Sequence, residues 1–370
     1  MASTLKLGKG NWGVKENSLL AYSDQNNNFI PLPFDFSRAS SATVVNKAGL
    51  IESVTSGLPR IDFSDDTNGA LLLEPQSTNS LPYSEDFNEY ILSVFSVPIQ
   101  SGFLAPDGTN TAYKITGTIG SSSMYTPGVT SLTATRSIWA RTVSGTGTTA
   151  LMSYNSNANN KFTINENWQR FELTGANSSG GVNFYPVDFR SAEQTLSEVI
   201  IWGGQSEEQS YATSYIPTSG AIATRVQDSC LKTNASEIIG QTEGTFVMDF
   251  NYSHNQINVP IFETSTTNSN IYALALSDFK IRFWITLSGS NQVLLTTPTI
   301  PSEGRHKLAV AYKQNDSCFY LDGVFVGNDT NCSIPAVSEL YLNKFNADVF
   351  EFTVFKERLS NAELEALTTI

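Results

Sequence analysis

Four oxygen-bearing side chains crowd one short stretch: Asp62, Asp65, Asp66 and Asn68, followed by Gly69. Clustered carboxylates and amides of this kind are what Ca2+ takes as ligands, a hard cation that wants about six to eight oxygens. The spacing departs from the helix–loop–helix calcium pattern and no Glu closes the loop. A solvated turn, which Asp and Asn also favour, therefore stands beside calcium as the reading of these four residues. Aromatic side chains offer a second chemistry, since Trp and Tyr present a flat apolar face with a polar tip on which a sugar ring can stack. Trp284 is the leading candidate for such a platform, because the alternation of Phe279 to Ile285 sets it opposite Phe283 and beside Lys280 and Arg282. Tyr154, at the edge of an Asn-rich loop, and Tyr185 come next, whereas Trp139, Trp168 and Trp202 lie within strand-like segments and read as packing residues.

Hydrolytic chemistry is poorly supplied. The two histidines are His254, in a polar stretch, and His306, at the start of an apolar one. Neither has a nucleophile or an orienting carboxylate at a recognisable spacing. Glycoside hydrolysis needs two facing carboxylates, and the Glu-x-Asp-x-x-Glu strand of concanavalin-like hydrolases does not occur. The chain is expected not to be an enzyme. A polysaccharide depolymerase with an unrecognised pair among the 35 acidic residues remains the alternative.

These residues must be carried by a scaffold, and composition indicates its class. Of 370 residues, 40 % are hydrophobic and only 15 % charged. Asn, Ser, Thr and Gln supply the polar surface, as in Asn155 to Asn160. Short hydroxyl and amide side chains suit strands and turns, not a long helical bundle. A net charge of −13 without any basic run argues against nucleic acid as a partner. No apolar stretch reaches the roughly 20 residues that span a bilayer, so no membrane insertion is expected. The start of the chain, Met1 to Lys6, lacks the apolar core of a signal peptide. Cys230, Cys318 and Cys332 cannot all pair within one chain. A two-residue turn at Asp322-Gly323 would put Cys318 opposite Gly327, away from Cys332, which favours free thiols and a reducing compartment.

Strand and turn signals divide the chain into three parts. Residues 1–78 hold sparse apolar clusters, with a predicted strand at Ala42 to Asn46, a turn through Gly49 and a return over Leu50 to Val54. Such a segment is expected to gain stability by docking on partner chains. Residues 79–228 read as a sandwich, with strands including Phe95 to Ile99, Arg136 to Val143, Trp168 to Leu173 and Ser197 to Trp202. Residues 229–370 read as a second sandwich. Phe246, Met248, Phe250 and Tyr252 share one strand face, and Asp322-Gly323 forms a hairpin. One helix is predicted at the end, with Ser360 and Glu363 as its capping box.

Three regions of the chain also carry a family resemblance. Phe36-Ser37-Arg38-Ala39-Ser40-Ser41, Pro59-Arg60-Ile61-Asp62-Phe63 and Leu73-Glu74-Pro75-Gln76-Ser77-Thr78-Asn79 resemble an element of tailed-phage and marine bacterial surface proteins. Ala105-Pro106-Asp107-Gly108, Asn167-Trp168-Gln169-Arg170 and Tyr211 to Thr218 resemble carbohydrate-binding jelly rolls. Gly244-Thr245-Phe246, Tyr320-Leu321-Asp322-Gly323 and Leu359 to Leu364 are similar to concanavalin-like (laminin-G-like) domains.

The expectation is an all-β chain: an N-terminal extended docking region, a jelly roll and a concanavalin-like sandwich. The resemblance implies a fibre subunit, of tail or head, assembled in the host cytoplasm and displayed on the virion surface. It further implies a homo-oligomer, a trimer in this reading, held to other virion proteins through residues 1–78, with host-surface glycans as ligands. A purely structural decoration without a sugar site is the alternative.

Overall fold

The computed structural model describes residues 2–23, 30–94, 99–127, 133–153, 160–175, 183–254, 258–265, 267–342 and 347–370. The protein is all-β, and among the described residues its one α-helix is Asn361–Thr368. No helix among them is long and apolar enough to cross a membrane. The predicted strand at Phe95 to Ile99 lies largely outside the described residues, as does the loop containing Tyr154.

Two compact units replace the three parts expected. Unit 1 comprises residues 1–49, 54–75 and 226–370, and unit 2 comprises residues 50–53 and 76–225. In the chain, nearly all of unit 2, residues 76–225, is therefore an insertion into unit 1.

Unit 1 buries its apolar alternations between layers of antiparallel strands. Glu243–Tyr252 pairs with Gly304–Lys313 on one side and Ala347–Phe355 on the other. Its inward residues Phe246, Met248, Phe250 and Tyr252 are at most 1 % exposed. They face a second layer that contributes Phe262, Ile271, Phe283 and Ile285. Phe262 touches both Phe246 (4.8 Å between centroids) and Phe352 (5.7 Å). The other face of Glu243–Tyr252 is covered by the terminal helix, whose Leu364 packs with Val247, Ala309 and Tyr320. Ser360 starts the helix, its backbone N–H donating to the Glu363 carboxylate at 2.7 Å.

The N-terminal residues belong to this same sandwich, which corrects the expectation of a separate docking region. Leu5–Gly8 pairs with Glu351 to Val354, and Ser18–Ser23 pairs with Ile30–Ser37, which in turn pairs with Ser229–Lys232. Leu5, Leu7, Leu19, Phe34 and Phe36 join the unit 1 core. The clusters are sparse locally because their partners lie far along the chain. The fit is close at Gly8 (φ 96°), where a Cβ would fall 2.1 Å from the carbonyl oxygen of Phe350.

Charge anchors the same segment. Arg38, Arg60 and Asp228 are almost completely buried. Arg38 Nη1 bonds one Asp228 oxygen at 3.0 Å, and Arg60 bridges the other oxygen (2.5 Å) to Glu74 (2.7 Å). Such charges are tolerated inside because each is both paired and hydrogen-bonded. The motif around Arg38 and Arg60 is thus an internal lock of unit 1.

Unit 2 is a sandwich of two five-stranded antiparallel sheets. One runs Ile91–Ser93, Ser123–Tyr125, Tyr185–Asp188, Gly147–Ser153, Lys161–Ile164, and the other Gln100–Phe103, Ala112–Thr116, Glu198–Glu207, Thr135–Arg141, Gln169–Thr174. Ile115, Ile138, Leu151, Val187, Val199 and Ile201 fill the space between them. The outer side of Thr135–Arg141 is sealed by the segment after residue 210, with Tyr215 edge-on to Trp139 at 5.4 Å.

All three cysteines are buried and free. A bulge between Phe319 and Tyr320 shifts the hairpin, so Cys318 sits opposite Asn328, not Gly327.

Candidate functional site

The acidic loop is occupied by its own surroundings. Asp62 accepts from the backbone of Val45 and of Ser64, each at 2.8 Å. Asp65 accepts from the Asn251 amide at 2.8 Å. Asp66 takes the Asn68 backbone N–H at 2.8 Å and the Arg305 guanidinium at 2.7 Å, and Asn68 offers its carbonyl to Trp12 Nε1 at 3.0 Å. Among the described residues no group of three or more His, Cys, Asp or Glu is arranged to hold a metal ion. Asp62, Asp65 and Asp66 of the calcium reading are thus each hydrogen-bonded within the protein, and Arg305 latches the turn. One consequence is electrostatic: burial, with the charges of Asp62 and Asp65, pushes the Asp348 carboxyl up to about 7.

Neither histidine is set up as a base. His306 Nδ1 lies 2.5 Å from Asp322 and Nε2 lies 2.8 Å from the Ser302 carbonyl oxygen. The Ser302 hydroxyl is 3.4 Å away, which superficially completes a Ser–His–Asp constellation. Two acceptors, one on each ring nitrogen, instead favour the doubly protonated ring. Burial lowers the pKa of His306, but the hydrogen bonds its ring donates to Asp322 and to the Ser302 carbonyl outweigh it and the net shift is upward. With Nε2 held to the Ser302 carbonyl oxygen, that nitrogen is a donor there and is not open to the hydroxyl proton. His254 bonds the Pro301 carbonyl oxygen at 2.8 Å and packs on Phe279.

The aromatic candidates separate by burial. Tyr185 is only 6 % exposed, stacked on Tyr125 (5.1 Å) beneath the Arg190 guanidinium (4.4 Å), so it offers no open platform. Tyr154 lies outside the described residues. Trp202 is buried and Trp139 is packed under Arg170 at 4.5 Å. Trp168 is not a core residue: it is half-buried beside Arg141 at 5.3 Å.

Trp284 stands on the outer face of unit 1, and strand register explains its setting. Asn270–Ala275, Ile281–Leu287 and Ser290–Thr296 pair side by side. Their inward residues Ile271, Ala273, Ile281, Phe283, Ile285 and Val293 are buried in the core. A two-residue period then forces the residues between them outward. Glu263, Tyr272, Trp284 and Leu294 lie directly opposite one another across four strands. The Tyr272 and Trp284 rings are stacked, 5.3 Å apart at 28°. Both are half-buried, and Leu294 is 45 % exposed at the end of the row. Trp284 Nε1 donates to Asn291 Oδ1 at 2.9 Å. Arg282 lies 5.5 Å from the Trp284 ring, its Nε donating to the Thr296 hydroxyl at 2.9 Å. Burial and the Glu263 charge push the Tyr272 phenol up to about 12, so its hydroxyl stays protonated and able to donate. The arrangement combines a flat apolar surface with donors around it.

Tyr272 was not singled out by sequence reading. Its signal, one aromatic residue between Ile271 and Ala273, gains meaning only when register sets it against Trp284.

Unit 2 contains a cleft of about 410 Å3 lined by Gln76, Ser77, Thr78, Glu208, Gln209 and Ile222, among others. Buried Glu207 accepts from Ser77 at 2.5 Å and from the Thr213 backbone at 2.9 Å, stiffening one wall. Among the described residues no aromatic ring lines the cleft.

No protein-family profile matches the chain, and no curated protein matches it in sequence. Solved structures do resemble parts of it. The CBM40 module of the Ruminococcus gnavus IT-sialidase, bound to α2,3-sialyllactose, is 14 % identical with a TM-score of 0.31, covering 35 % of this chain and 84 % of that one. Domain 4 of AbnA, a GH43 extracellular arabinanase from Geobacillus stearothermophilus, in complex with arabinotriose, is 13 % identical with a TM-score of 0.32, covering 43 % and 82 %. A SAP-like pentraxin from Limulus polyphemus is 14 % identical with a TM-score of 0.28, covering 37 % and 74 %.

Proposed function

We propose that the chain is a non-enzymatic surface protein of a tailed-phage particle, a fibre subunit that holds host glycans on the outer aromatic face of unit 1. The observation that carries glycan binding is the stacked, half-exposed Tyr272–Trp284 pair with Asn291 and Arg282 at its margin. Sugars are recognised by apolar ring faces on aromatic planes and by hydroxyls on surrounding polar groups. The virion assignment rests on the sequence resemblance of residues 34–87. In this reading the subunit assembles in the host cytoplasm, where its thiols stay reduced, and forms a homo-oligomer, a trimer. Contact with other virion proteins falls to the exposed surface of residues 1–78, most of which belong to unit 1.

The test applies purified full-length protein to an array of bacterial surface oligosaccharides and polysaccharides. Binding to at least one ligand is expected, and Trp284→Ala is expected to abolish it without changing thermal unfolding. Immunogold labelling is expected to place the protein on the particle exterior. Array silence from folded protein overturns the glycan reading in favour of a structural decoration. New reducing ends in a bound polysaccharide overturn the non-enzymatic one.

A further inference from the structure

We infer that the sugar held on the Tyr272–Trp284 face carries an acidic group, a carboxylate or a sulfate, and that Arg282 reads it. This rests on the glycan reading above and adds the ligand's chemical class.

The first ground is the state of the Arg282 guanidinium. Other arginines of unit 1 are matched to carboxylates: Arg60 to Glu74 and Asp228, Arg305 to Asp249 and Asp66, Arg358 to Asp316. Arg282 has no ion pair among the described residues, and its one hydrogen bond, from Nε to the Thr296 hydroxyl, leaves both terminal nitrogens without a partner there. That bond also fixes the plane of the group. An arginine fork presents two parallel donors that match a carboxylate or a sulfate.

The second ground is position. The guanidinium carbon lies 5.5 Å from the centre of the Trp284 ring. A sugar stacked on Trp284 would place an acidic substituent within reach of the free donors. Lys280 immediately precedes the strand Ile281–Leu287, is half-buried, and has no ion pair among the described residues. Glu263 lies two strands from Arg282 and next to Tyr272, and Asp278 sits in the turn before Lys280. Neither pairs with Arg282. A chain of net charge −13 repels anions at long range, so a local cation beside the aromatic surface becomes a filter.

The experiment measures binding of the full-length chain, by calorimetry and on the array, to matched oligosaccharides that differ only in one residue: neutral, carboxylated or sulfated. The wild type is expected to bind at least one acidic form roughly ten- to a hundredfold more tightly than the neutral form, the range for charged hydrogen bonds. Preference for carboxylate over sulfate, or the reverse, identifies the source. Arg282→Gln is expected to erase the preference and Arg282→Lys to retain part of it. Equal affinity of the wild type for all three forms, with binding still lost in Trp284→Ala, overturns the acidic-ligand inference and leaves the glycan reading standing. Binding that is untouched by Trp284→Ala overturns both.

Discussion

Glu74 and Asp228, separated by 154 residues, are bound to each other twice: Glu74 N–H donates to the Asp228 carboxylate at 2.9 Å and Asp228 N–H donates to the Glu74 carbonyl at 3.0 Å. They stand where the chain leaves unit 1 and where it returns. Arg38 and Arg60 neutralise the pair from within. The gateway to the insertion is therefore closed by unit 1 itself.

Removing Arg60 tests the lock. Arg60→Met leaves Glu74 and part of Asp228 buried without their cation, a change that typically destabilises by about 3–5 kcal/mol. Urea unfolding monitored by tryptophan fluorescence is expected to show that loss. A shift below about 1 kcal/mol, the size for an exposed pair, would refute the lock.

The same closure predicts that unit 1 tolerates loss of the insertion. Ser77 and Arg225 are directly opposite in a two-stranded ladder, a separation of about 5 Å that a few Gly and Ser residues bridge. Replacing residues 77–225 by such a linker is expected to leave a cooperatively folded protein with a near-UV signal from Trp284. An unfolded or aggregated product would show that unit 1 depends on unit 2.

His306 predicts a stability that falls with rising pH. Its folded pKa is raised above the unfolded value by Asp322 and Ser302, against the lowering effect of burial. Its contribution is present in full below about pH 6.5, the unfolded value, and is lost as pH climbs through the folded one. His306→Gln is expected to remove this share of the slope above about pH 6.5. An unchanged slope in thermal unfolding would mean that the ring is not charged in the native state.

Asp348 acts in the same direction at lower pH. Its folded value of about 7 exceeds an unfolded carboxyl value of about 3.9. The native state thus binds the extra proton, and stability declines as pH rises from about 4 to about 7. Asp348→Asn keeps the shape without the charge and is expected to be more stable than wild type at pH 8, by about 1 kcal/mol or more, with no gain at pH 4. Equal stability at pH 8 would count against a proton held at this site.

Several features were legible in the residues alone because they depend on local periods. The outward Trp284 followed from alternation around Phe283, and the hairpin from Asp322-Gly323. The capping box followed from Ser360 and Glu363. Other features were not legible. Tyr185 and Trp284 are both aromatic residues within strands, yet one is sealed under Arg190 and the other lies half-open, a difference set by what packs above each strand.

The sequence by itself determined the class of this protein, all-β with few charges and many amide and hydroxyl side chains, since a two-residue period and turn residues act within a few positions of one another. Only the tertiary structure decided that Leu5–Gly8 pairs with Glu351 to Val354, that Arg60 belongs to Glu74 and Asp228, and that Tyr272 lies against Trp284. Those pairings join residues up to several hundred positions apart, and their register is chosen by the burial of the whole apolar set at once. No local pattern carries that sum.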